Sequence, residues 1–159
     1  MLHRWYFGLI AVTVLIAAML MSGLATPKAV AAPDDKPAVA KAPLVFNITS
    51  GKNGIHAVSM ALGLASTAAK QGHEVVVFLN VEAPQFASKG LSEEVKVADF
   101  PPVRKLLADV IANGGKVFVC EHCAHVCNVD KKSLADGVTV ASHADILGQL
   151  KPGMVCFSY

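Results

Sequence analysis

The sequence predicts an α/β fold, a Rossmann-like three-layer sandwich with a mostly parallel five-stranded sheet. Three observations predict it. Short apolar runs alternate with stretches whose apolar residues recur at helical spacing. The runs are nearly continuously apolar, as expected of parallel strands covered by helices on both faces. Glycine and proline fall at the boundaries between the two kinds of segment, where chain direction must change.

The elements follow in order. Leu44-Val45-Phe46-Asn47-Ile48-Thr49 is rich in β-branched and aromatic residues and stops at Ser50-Gly51, so it reads as a strand. Residues 54–71 place Ala57, Met60, Ala61, Leu64 and Ala68 at helical spacing and end at Gly72; Met60 reads as core. Glu74–Asn80 is a second strand. The stretch 81–100 has no clear period. Pro101 and Pro102 stand where a helix starts, Val103, Leu106, Leu107, Val110 and Ile111 form its apolar face, and Gly114-Gly115 ends it. Lys116–Cys120 is a third strand and Val138–Ser142 a fourth. A short helix over His143–Leu150 leads into a fifth strand, Met154–Tyr159. The alternation implies right-handed crossovers. It also directs attention to the carboxyl ends of the strands, where open parallel sheets gather their ligands: Ser50–Asn53, Asn80–Ala83 and Cys120–Cys127.

Residues 1–31 read as an export signal. Met1, His3 and Arg4 precede an apolar run from Trp5 to Leu24, and Ala29-Val30-Ala31 fits the small-residue pattern cut by signal peptidase, before Ala32. The run is long enough that a single-span membrane anchor is the alternative to cleavage. Residues 32–42 form a Pro/Ala/charge linker, and 43–159 form the folded body. The body is expected in the periplasm or otherwise outside the cytoplasmic membrane. From residue 32 onward basic and acidic residues balance at 12 each, with no basic run, which argues against nucleic-acid binding.

The segment most suggestive of chemistry is Cys120-Glu121-His122-Cys123-Ala124-His125-Val126-Cys127. It holds three of the four cysteines and two of the six histidines. Three chemistries suit it. A cysteine at a strand end meets unpaired N–H donors that favour its reactive thiolate. Cys120, Cys123 and Cys127 with His122 or His125 offer sulfur and imidazole ligands for zinc, copper or an iron–sulfur centre. Cys120 and Cys123 also have the spacing of a dithiol–disulfide pair. A covalent haem site is disfavoured, because Ala124 and Asn128 stand where its histidine is needed. Ser50-Gly51-Lys52-Asn53-Gly54 lacks both the P-loop and the dinucleotide glycine spacing. Cys156, between Val155 and Phe157, reads as a buried packing residue. His143 reads as a surface residue at a helix start, and His73 as a turn residue.

The segments LVFNITSGKNGIHAVSMALGLA, GHEVVVFLNVEA, RKLLADVIANGGKVFVCEHC and GMVCFSY resemble the DsrE/DsrF-like family. These are small α/β proteins of sulfur metabolism. The resemblance covers residues 43–159. Its most specific parts are Phe78-Leu79-Asn80-Val81 and the cysteine closing the third strand. It implies that Cys120 accepts sulfane sulfur as a persulfide and passes it on, with sulfur donor and acceptor proteins as partners. It implies assembly into trimers or hexamers, and it requires no cofactor. The export signal and the additional Cys123, Cys127, His122 and His125 depart from a cytoplasmic protein with one sulfur-carrying cysteine.

Overall fold

A computed structural model describes residues 41–159. The expected signal and most of the linker lie outside the described residues. Five strands, β1 (Leu44–Ile48), β2 (Val75–Leu79), β3 (Lys116–Cys120), β4 (Val138–Ala141) and β5 (Val155–Ser158), form one sheet in the order β4-β3-β2-β1-β5. Every pairing is parallel, so the sheet is wholly rather than mostly parallel. Four helices connect the strands: α1 (Ile55–Lys70), α2 (Val103–Ala112), α3 (Glu121–Val126) and α4 (His143–Leu147).

Alternation along the strands sorts side chains onto two faces. Phe46, Ile48, Val75, Val77, Leu79, Val117 and Val119 enter the main core. α1 and α2 pack together over that face, and α3 adds Ala124. Phe46 stacks on Phe157 of β5 with ring centroids 5.2 Å apart. The order β1, β2, β3, β4 steps steadily across the sheet, so right-handed crossovers put α1, α2 and α3 on this one face. The step from β4 back past β1 to β5 runs the other way, which sends α4 to the opposite face. Lys116, whose side chain points to that second face, bonds Gln149 just beyond α4 at 3.3 Å. Cover there is thin: α4 has no buried residue, and Leu147 and Leu150 are exposed.

This unequal layering corrects two expectations. Cys156 is exposed, because β5 is an edge strand and its thiol points to the thinly covered face. Met60 and Leu64 are 45% and 41% exposed rather than core. The buried stripe of α1 runs through Val58, Ala61, Leu62, Ala65, Ala68 and Ala69, rotated from the expected one. Two boundaries also shift. The helix after Ser142 ends at Leu147. The stretch after β2, without period in the sequence, contains a 3-10 turn, Ala83–Ala87, that buries Phe86. Among the described residues no helix is long and apolar enough to cross a membrane.

Candidate functional site

The site forms where neighbouring strands send their connections to opposite faces. β3 and β4 are adjacent, with Cys120 in register with Ala141. α3 leaves β3 toward the main core, and α4 leaves β4 toward the second face. A crevice must open between two such departures at the carboxyl edge of the sheet. It is a cavity of about 100 Å3 lined by Cys120, Glu121, His122, Ala141, Ser142 and His143.

Cys120 ends β3 and caps α3. Only 6% of it is exposed, and its exposed edge meets the cavity. Its Sγ accepts a hydrogen bond from the Cys123 backbone N–H at 3.4 Å. α3 itself is fixed at both ends. Asn128 adopts φ 54° after the last turn. The N–H of Asn128 bonds the carbonyl of His125 and that of Val129 bonds the carbonyl of Ala124, the paired bonds of a Schellman close. Ser142 and Asp145 likewise form a capping box on α4: the Asp145 N–H donates to Ser142 Oγ, and the Ser142 N–H donates to Asp145 Oδ2 at 2.9 Å.

Cys123 and Cys127 do not line the cavity. They turn toward the loop after β2. The Cys127 thiol donates to the Val81 carbonyl at 3.3 Å. Val81 has φ 52°, a strained conformation for a β-branched residue, and its carbonyl is the acceptor for the Cys127 thiol. Partial burial pushes the Cys123 thiol up, reinforced by its hydrogen bond with the Cys120 side chain; a backbone hydrogen bond from Val81 opposes this. Burial also pushes the Cys127 thiol up, helped by the Glu82 carboxylate.

The structure therefore brings Cys120, Cys123 and Cys127 into one neighbourhood but divides the two histidines. Both are exposed, but His122 lines the cavity and His125 stands outside it. Among the described residues no three histidine, cysteine or carboxylate side chains are placed to hold a metal ion. All four cysteines are free thiols. Sequence reasoning missed Ser142 and His143, which the parallel pairing of β3 and β4 carries to Cys120. It also missed the Val81 carbonyl. The Ser-x-x-Asp pattern at Ser142 was a readable sign of a helix cap, but not of its nearness to Cys120.

A sequence model of the DsrE/DsrF-like family matches residues 43–154. The uncharacterised protein MJ0760 of Methanocaldococcus jannaschii is 29% identical over 123 residues, 76% of this chain and 45% of that protein. The chain thus spans under half the length of that relative. The crystal structure of ychN from E. coli superposes with a TM-score of 0.64 at 17% identity, over 74% of this chain and 99% of that one. The structure of MTH1491, a protein of unknown function from Methanobacterium thermoautotrophicum, gives 0.53 at 13% identity, with the same two coverages, 74% and 99%. At these identities both speak to the fold alone, and both agree with the five-stranded architecture.

Proposed function

The chain belongs to the DsrE/DsrF-like family, and from that premise we propose that it carries sulfane sulfur as a persulfide on Cys120. One observation carries the reading: of the three clustered thiols, Cys120 is the one that opens into the cavity at the carboxyl edge of the sheet. The Cys120 thiolate attacks the outer sulfur of a donor persulfide. A bond forms between Cys120 Sγ and that sulfur, the donor's S–S bond breaks, and the donor leaves as a thiolate. Transfer onward reverses these roles with an acceptor thiol. The imidazoles of His122 and His143 stand at the cavity to exchange protons with incoming and departing sulfur.

Reduced protein treated with inorganic polysulfide should gain the mass of one sulfur atom, mapped to Cys120. Cys120→Ser should abolish this gain, while Cys127→Ser should load as wild type. A Cys120→Ser protein that loads normally, or a persulfide mapped to Cys127, overturns the reading.

The sequence also supports a location outside the cytoplasmic membrane, as a periplasmic protein or one tethered by its first segment. Terminal sequencing of the exported form should begin at Ala32 or within a residue or two. Assembly into trimers or hexamers belongs to the same reading. The exposed apolar side chains of Met60 and Leu64, beside Phe100, offer surface for such copies to cover.

A further inference from the structure

The two sides of the Cys120 sulfur face different things, and this gives a carried persulfide an exit within the chain. One side opens on the cavity, the space a bound outer sulfur would occupy. The Cys123 backbone N–H reaches the Cys120 sulfur at 3.4 Å, and the Cys123 thiol lies near enough to that sulfur to interact with it, although Cys123 does not line the cavity. Displacement at sulfur proceeds in line, with the nucleophile opposite the leaving group. Cys123 is therefore placed to attack the inner sulfur, Cys120 Sγ, and badly placed to take the outer one.

We propose that Cys123 discharges a persulfide held on Cys120, releasing hydrosulfide into the cavity and leaving a Cys120–Cys123 disulfide. The inference rests on the sulfur-carrier reading and adds a second product to it. The Cys123 sulfur bonds to Cys120 Sγ, and the bond between Sγ and the outer sulfur breaks. Cys120–S–S⁻ and Cys123–SH become the disulfide and HS⁻, so the Cys123 proton ends on the departing sulfur. The two cysteine sulfurs supply the two electrons that reduce the outer sulfur to sulfide. The first discharge needs no outside reductant. Repeated discharge needs a dithiol reductant to reopen the disulfide.

The other thiols do not compete. Cys127 is engaged with the Val81 carbonyl. Cys156 pairs in register with Val45, then Val76, then Lys116, so it lies three strands from β3 and four residues before Cys120. At about 4.8 Å per strand and about 3.3 Å per residue, the two sulfurs are on the order of 20 Å apart.

The test loads the reduced full chain with inorganic polysulfide, removes excess donor, and follows free sulfide and intact mass over time. Wild type should release one sulfide per loaded chain and finish two hydrogens lighter than the reduced chain, with the linkage mapped to Cys120 and Cys123. Cys123→Ser and Cys123→Ala should each keep the added sulfur and release sulfide at least tenfold more slowly. Cys127→Ser should release at the wild-type rate. If the Cys123 variants load and then release sulfide as fast as wild type, the inference falls while the carrier reading stands. The same holds if loaded wild type keeps its persulfide as long as they do, or if the disulfide maps to Cys127. If no form gains sulfur on Cys120, both fall.

Discussion

Ser59 offers a direct test of how tightly the scaffold beneath the site is packed. It lies on the buried stripe of α1, fully enclosed, and its hydroxyl has no hydrogen-bond partner. A buried polar group left unpaired costs about 1–3 kcal/mol, and alanine suits a helix interior better than serine by about 0.5 kcal/mol. The oxygen removed is a single small atom, so any cavity is minor. Ser59→Ala should therefore stabilise the domain by about 2 kcal/mol. Unfolding entropy near 2.1 cal/mol/K per residue, over about 117 residues, gives about 0.25 kcal/mol/K, so Tm should rise by about 8 °C. Thermal unfolding and a denaturant midpoint with unchanged slope read this directly. Sulfur loading should not change, because Ser59 does not line the cavity. An unchanged or lowered Tm would refute the argument and mean that the hydroxyl bonds a carbonyl one turn back.

Three further outcomes follow from the site. Cys123 and Cys127 should be alkylated only as pH rises above the ordinary thiol range near 8.5, chiefly because both are partly buried. A thiol that holds its proton more tightly when folded stabilises fully below its ordinary pKa and loses that contribution as pH rises through the folded value, so stability should decline on the alkaline side. Ser142→Ala should weaken the α4 cap by about 1 kcal/mol, seen as faster amide exchange over residues 143–148. Its loss should also bring the Asp145 pKa back up by NMR titration, since Ser142 hydrogen bonds hold that carboxyl down. That depressed carboxyl lends stability above its ordinary range and loses it as pH falls through the folded value, so the acid limb should flatten in the variant. Asn128→Ala should cost about 1 kcal/mol, because Asn128 has φ 54° and the left-handed region disfavours a Cβ. Asn128→Gly should be neutral or stabilising.

The strands were legible because five-residue apolar runs between glycines and prolines have few other uses. Each of β1 to β4 appears within a residue or two of its expected position. α1 was legible as a helix but not in its orientation. An alanine-rich helix offers little contrast between faces, so the large residues Met60 and Leu64 drew the expected stripe away from the alanines that pack inward. Cys156 was misread because burial of a strand depends on what covers the sheet, which a local run of apolar residues does not record. Cys120 could be found from the sequence, because a strand end is a local feature. Its cavity could not. Ser142 and His143 lie more than twenty residues away and arrive only through the register of β3 with β4.

That register also explains why three clustered thiols are not chemically equivalent. Cys120 sits at the junction of strand and helix, so its sulfur receives a backbone N–H from within α3 while its other side opens to the cavity. Cys123 is one turn further on and Cys127 ends the helix, and both meet the β2 loop instead. There the donor–acceptor roles are reversed. The Cys120 sulfur accepts a hydrogen bond, whereas the Cys127 thiol donates one to the Val81 carbonyl, and partial burial pushes the Cys123 and Cys127 thiols up. A carrier needs one sulfur that is ready to react and neighbours that do not react first. In the proposed carrier a single short helix would serve both needs. Under the proposed discharge by Cys123, the lifetime of carried sulfur would then depend on how readily Cys123 gives up its proton.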